Sequence, residues 1–148
     1  MLRLSNLALN KQRSFVTLSS KVFSAHGVKN EPSFLEMVNL YFDKAAEKID
    51  IPNYYFDIFK KAKSVVRFNF PLVRDDGTIE VISAYRAQHS FHYLPVKGGT
   101  RYAENMDISE CEALSALMSL KLSVHNIPYG GAKGGICFNP RKYSAGEI

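Results

Sequence analysis

Three lysines in this chain keep company that surface lysines do not usually keep. Lys133 sits between two glycine pairs in the run PYGGAKGGICF, Pro128 to Phe138. Lys97 precedes another pair in PVKGGTRY. Lys121 lies in EALSALMSLKLSVHN, where Leu114, Leu117, Met118 and Leu122 leave little polar surface nearby. Glycine pairs are costly in backbone entropy, so they mark places where the chain needs unusual dihedrals or where something comes very close. Taken singly, each lysine is explained by solvation or by snorkelling from an apolar helix face. Taken together, they describe a pocket of cations. Amines that share a partly desolvated site disfavour one another's charged form, which moves one of them toward acid/base chemistry while the rest suit a substrate with carboxylates.

Two familiar phosphate motifs are excluded by the same residues. A P-loop needs Gly-Lys followed by Ser or Thr, and Gly134 follows Lys133. Nor does G-G-A-K-G-G match the G-x-G-x-x-G of a dinucleotide fold.

The elements that must position these lysines are legible in outline. Ser33 with Glu36 three residues on is a capping box, and Phe34, Met37 or Val38, Tyr41, Ala45 and Ile49 then form one helical stripe ending near Pro52. A short helix is expected over Tyr54 to Ala62. SVVRFNF and IEVISAY are β-branched, aromatic and alternating, and an Asp-Gly turn between them predicts a hairpin. SFHYLP reads as a further strand ending at Pro95. Ser109-Glu110-Cys111-Glu112 opens a helix to about Asn126, and GICF is the last strand candidate. Ser144-Ala145-Gly146-Glu147 has the pattern of another helix start, which predicts a chain that continues into something longer. The fold class expected is α/β: an N-terminal helix plus a mixed sheet with flanking helices, in an incomplete domain.

Charge and composition limit the partners. The net charge of +5 belongs to residues 1–30, which hold Arg3, Lys11, Arg13, Lys21 and Lys29 and no acid; the remaining 14 basic residues meet 14 acidic ones. A neutral body has no footprint for a phosphate backbone, so no nucleic acid is expected. No window approaches eighteen uninterrupted apolar residues, so no membrane span is expected. The two cysteines, Cys111 and Cys137, are too few and too far apart for a metal cluster or a disulfide framework, and read as small buried hydrophobes in a reducing compartment. Residues 1–30 are rich in Ser and Leu, spaced with basic residues and free of acids. That is the composition of a mitochondrial transit peptide, and the expected location is the mitochondrial matrix. Residues 31–148 are the folded part.

Three separated motifs carry a resemblance. YRAQHSFHYLPVKGGTRY, then EALSALMSLK, then PYGGAKGGICFNPRKYS, resemble the N-terminal segment of the glutamate dehydrogenase family, and most closely its mitochondrial, animal-type members. The resemblance runs from about residue 35 to the end. It implies an α/β substrate domain with the subunit contacts of a homohexamer, followed in the whole enzyme by a Rossmann domain for NAD or NADP. The reaction implied is the reversible oxidative deamination of L-glutamate to 2-oxoglutarate and ammonia. Carried over by position, Lys133 matches the catalytic lysine, Lys97 the lysine that holds the substrate's side-chain carboxylate, and Lys121 one that helps hold the α-carboxylate. Met118 matches a pocket residue, while His92 and Asn126 fall where the nicotinamide cofactor is touched. The family also uses an aspartate for proton transfer, in a Pro-Asp motif that this segment lacks, as it lacks the Rossmann glycines. Two other readings stand beside this one. Leucine and phenylalanine dehydrogenases resemble the segment but carry an apolar residue where Lys97 stands, and a truncated, non-catalytic subunit would share its length.

Overall fold

The computed structural model describes residues 31–148, and the expected transit peptide lies outside the described residues. Its longest piece of sheet is the Asp-Gly hairpin. β1 (Ser64–Val73) and β2 (Ile79–Gln88) pair antiparallel over their whole length, from Ser64 opposite Gln88 to Val73 opposite Ile79. The turn closes with the Gly77 N–H donating to the Arg74 carbonyl at 2.8 Å. Gly77 takes φ 85°, a region glycine enters without steric cost.

β2 continues the sheet into β5 (Gly130–Cys137), again antiparallel, with Ala87 opposite Lys133. On the other side of β5 lie two short parallel pieces, β3 (Val96–Lys97) beside Gly130 and Gly131, and β4 (Thr100–Ala103) beside Gly134 to Cys137. The sheet is therefore mixed, as expected. The glycine-rich run is not a loop before a short strand; it is itself the strand. SFHYLP is not a strand, because Val96 and Lys97 take the place beside β5. Its residues bend instead through a cis Leu94–Pro95 bond, with the Tyr93 carbonyl accepting from Gly130 N at 2.9 Å.

Close packing explains the glycines. Among the described residues only Gly77 has a glycine's positive φ, so those of β5 are not there for unusual dihedrals. A β-carbon on Gly98 would fall onto the Ala132 carbonyl, and one on Gly131 would overlap the backbone N and the Oγ of Ser119 and stand 2.6 Å from its Cα. Glycine inside a strand often marks such an approach of another backbone. Gly131→Ala is accordingly expected to cost about 3 kcal/mol, the upper end of overpacking, because the backbone atoms it meets cannot turn aside. Gly146→Ala, whose nearest neighbour would be Ser144 Oγ at 3.9 Å, should change little. Urea midpoints at unchanged slope measure both, and equal midpoints for the two variants would contradict the packing argument.

One helix holds the sheet. α3 (Ile108–Val124) buries Cys111, Ser115 and Ser119 almost completely, four residues apart. Small side chains at that spacing let its backbone come down onto β5. The helix starts two residues earlier than its Ser109 pattern predicts: Asp107 is the N-cap, its Oδ1 accepting from Glu110 N at 2.6 Å. An extended Asp is among the strongest caps, and its charge suits the helix N-terminus.

α1 (Phe34–Ala46) packs on α3 through Val38 and Leu35 against Ala113 and Ala116. Its capping box forms as expected, with Ser33 Oγ accepting from Glu36 N and Glu36 Oε2 from Ser33 N. Of the expected stripe only Val38, one of the two choices at its turn, is buried. Phe34, Met37, Tyr41 and Ile49 are exposed, and the helix stops at Ala46, six residues short of Pro52. This helix carries apolar residues on two faces, so periodicity alone does not choose the buried one. α2 is shorter than expected, Tyr54–Phe59, and its Phe59 ring stacks on Phe42 with centroids 4.5 Å apart.

Arg74 ties the C-terminal residues to the hairpin. It donates from Nε to Glu147 at 3.0 Å and from Nη1 to Glu80 at 3.0 Å, and lies over the Tyr143 ring. Glu147 also accepts from Ser144 N at 2.8 Å, so half of the capping box read in Ser144–Glu147 is formed.

Candidate active site

The break between β3 and β4 makes the site. Lys97 pairs with Gly131 and Thr100 with Gly134, which leaves Gly98 and Gly99 beside Ala132 and Lys133. A β-carbon on Gly99 would stand 3.7 Å from Lys133 Nζ, and the Gly99 carbonyl accepts from Gly134 N at 2.9 Å. The bare backbone of Gly99 is thus what the Lys133 ammonium rests against.

Beside that break is a cavity of about 320 Å³, lined by Lys97, Gly98, Gly99, Met118, Leu122, Ile127 and Tyr129. Three of the expected site residues are brought together here: Lys97 and Met118 line the cavity, and Lys133 reaches Gly99 on its wall. Lys121 lies one turn beyond Met118 on α3 and is not in the lining; its side chain is exposed, as is that of Lys97, while Lys133 is half-buried. The partly desolvated lysine cluster expected from sequence is therefore not enclosed by the described residues. Half of a cleft is present, with its cations on an open side.

The residues between the lysines are apolar, which suits the methylene chain of a small amphiphilic substrate lying between two charged ends. Lys97 Nζ also stands 5.4 Å from the centre of the Tyr129 ring, a cation–π distance. Neither Tyr129 nor Ile127 was anticipated; the place of Tyr129 directly before the glycines was the one available signal.

Comparison with known proteins agrees with this geometry. The family described as Glu/Leu/Phe/Val dehydrogenase, dimerisation domain, matches residues 62–148. The chain belongs to the Glu/Leu/Phe/Val dehydrogenase family. It is 38% identical over 148 residues to the mitochondrial glutamate dehydrogenase of Dictyostelium discoideum, a match that covers 98% of this chain and 29% of that protein. It is 37% identical over 118 residues to the glutamate dehydrogenase of Thermotoga maritima, covering 80% and 28%. Among solved structures, the glutamate dehydrogenase of Peptoniphilus asaccharolyticus superposes with a TM-score of 0.75 at 34% identity, over 78% of this chain and 29% of that one. The hetero-hexameric glutamate dehydrogenase of Thermus thermophilus in its Leu-bound form gives 0.74 at 27% identity, over 84% and 30%. The chain thus spans under a third of the length of these relatives.

In this dehydrogenase segment the remaining two expected residues, Asn126 and His92, are not in the cavity lining. Asn126 takes φ 51° just past the C-terminus of α3, with its N–H donating to Ser123 and the next N–H, of Ile127, donating to Leu122. That is a Schellman motif, and its accompanying apolar pair, Leu122 and Ile127, is also in the cavity lining. Asn tolerates the left-handed region better than most residues, so its type is explained by the cap. His92 is exposed, its Nδ1 2.8 Å from Ser90 Oγ and its ring edge-on to Tyr93 at 5.0 Å. Both side chains are exposed.

The two thiols of the segment serve backbone carbonyls. Cys111 Sγ donates to the Lys133 carbonyl at 3.2 Å and Cys137 Sγ to that of Met106 at 2.8 Å. Burial pushes the Cys111 thiol up, away from the reactive thiolate.

Proposed function

We propose that this chain is the substrate-binding and catalytic-lysine segment of an enzyme that oxidatively deaminates L-glutamate to 2-oxoglutarate and ammonia, reversibly, with NAD or NADP. The observation that carries the reading is the single cavity that holds Lys97, Met118 and the Gly98-Gly99 break, with the Lys133 ammonium at Gly99.

Lys97 would pair with the distal carboxylate and Lys121 with the α-carboxylate, with Met118 against the methylenes between them. When bound, the nicotinamide, approached from His92 and Asn126, supplies the acceptor for the hydride that leaves the substrate Cα as its amine becomes an imine. Lys133 then takes a proton from the water that attacks this carbon, its charge stabilises the oxyanion of the resulting carbinolamine, and the proton passes to the amine, which leaves as ammonia while the carbonyl forms.

The test is a chimera in which residues 31–148 replace the matching segment of the Peptoniphilus asaccharolyticus enzyme. Glutamate-dependent reduction of NAD or NADP, absent with leucine, is the expected result. Turnover of leucine or phenylalanine in its place would overturn the substrate assignment.

The whole enzyme would be a homohexamer in the mitochondrial matrix, the location supported by the composition of residues 1–30. A reporter carrying those residues is expected to enter mitochondria, and Arg3→Glu with Arg13→Glu to weaken import, since a cationic face is the signal. A cytosolic reporter would remove that part of the proposal.

A further inference from the structure

Beneath the lysines lies a buried histidine that the chemistry above does not use. His89, 2% exposed, follows the end of β2, and its N–H donates to the Gly131 carbonyl at 2.8 Å. Its ring Nε2 is 2.7 Å from the Phe59 carbonyl, and its Nδ1 is 2.8 Å from Ser119 Oγ. A carbonyl can only accept, so Nε2 carries the proton; in the neutral ring Nδ1 then accepts from the Ser119 hydroxyl. Burial lowers the imidazole's pKa, the bond to Phe59 opposes it, and the charges of Lys63 and His92 add to the lowering.

Ser119 is gripped from two sides. Its backbone fills the space beside Gly131 of β5 where a β-carbon would stand, and its hydroxyl is held by the ring from β2. Ser119 lies between Met118 and Lys121 on α3, and Gly131 is two residues from Lys133 on β5. A helix rotation of about 20° would carry a side-chain tip 5–6 Å from the axis by about 2 Å. Displacements of about 1 Å at a reacting site can cost about 100-fold in rate.

We propose that His89, acting through Ser119, is a positioning residue that fixes the rotation of α3 over β5 and so sets Met118 and Lys121 against Lys133. Its catalytic meaning rests on the glutamate reading above. The geometry it asserts does not, and can be tested apart from turnover.

The experiment uses the full chain. At neutral pH the ¹⁵N signals of His89 should show the neutral Nε2–H tautomer, and a nuclear Overhauser contact should join the Met118 methyl to the Tyr129 ring. Two substitutions then separate the two ring bonds. The amide oxygen in His89→Asn stands near the place of Nδ1 and keeps an acceptor for Ser119, while the amide nitrogen in His89→Gln stands near the place of Nε2 and keeps the donor to Phe59. The Met118–Tyr129 contact should survive in His89→Asn and be lost in His89→Gln and in Ser119→Ala. In the chimera, kcat for glutamate should stay within about threefold for the first and fall about 100-fold for the second.

Equal losses in the Asn and Gln variants, or none in either, would show that the ring only fills space. An Nδ1–H tautomer or an imidazolium in the unsubstituted chain would overturn the proposal even if no variant folds. An inactive chimera with the expected tautomer and contacts would count against the glutamate reading alone.

Discussion

Lys133→Ala in the chimera is expected to lower kcat for glutamate by ~10²–10⁴-fold, the usual contribution of a positioned acid/base, with a much smaller change in KM. The substitution is clean because the strand does not depend on the side chain. Lys133 contributes its carbonyl to Cys111 Sγ and its place opposite Ala87 in the sheet, and alanine keeps both. What disappears is the ammonium beside Gly99. Lys133→Arg sharpens the result. Guanidinium keeps the positive charge but does not give up a proton near neutral pH, so it should not restore kcat if the lysine takes a proton from water. Recovery by arginine would leave Lys133 an electrostatic role only, and a loss confined to KM would make it a binding residue.

The sequence carried this site further than it carried the fold around it. Lys133 could be singled out because a lysine between glycine pairs is rare enough to ask for a reason, and Lys97 because it precedes such a pair, whereas Met118 came only with the family resemblance. The reason itself was half visible. Close approach was the right alternative, but the approaching atoms are the chain's own: the Ala132 carbonyl at Gly98 and Ser119 at Gly131. No local pattern could say so, since both partners are distant in sequence. The same limit explains β5. Glycine lowers strand propensity, and only the neighbours on both edges, β2 on one and β3 with β4 on the other, make GGAKGG a strand. The hairpin was legible because its partners are adjacent and its turn chemistry is local. α1 was legible as a helix but not as an oriented one, because Phe34, Met37 and Tyr41 compete with Leu35, Val38 and Phe42 for the buried side. α3 conceals its contact face more fully. It meets the sheet with Cys111 and Ser119, with Leu114 packed beside Cys111, while Leu117 of the same pattern is exposed. His89 was passed over for the same reason: the partners of its ring nitrogens, at residues 59 and 119, lie thirty residues away in either direction.

Lys97→Leu decides the substrate. If the Lys97 ammonium pairs with the distal carboxylate of glutamate, leucine leaves that carboxylate against Tyr129, Met118 and Ile127 with no cation. Losing one partner of a desolvated charge pair costs ~2–5 kcal/mol. At about 1.4 kcal/mol per decade that is roughly 30- to 4000-fold in kcat/KM. Lys97 is exposed in this segment, which sets the expectation at the low end of that range. Norvaline has the same backbone groups and an apolar tip, so it should lose little and gains an apolar neighbour. The ratio of kcat/KM for glutamate over norvaline cancels any general damage to folding, assembly or cofactor binding. It also cancels the cation–π contact with Tyr129, since both substrates meet the same altered ring. A ratio that falls by the predicted factor makes Lys97 the reader of the distal carboxylate, and is the change expected on passing to an enzyme for leucine or phenylalanine. If the ratio stays within about threefold, the pair is worth less than 1 kcal/mol, and Lys97 is an ordinary solvated lysine beside the cavity.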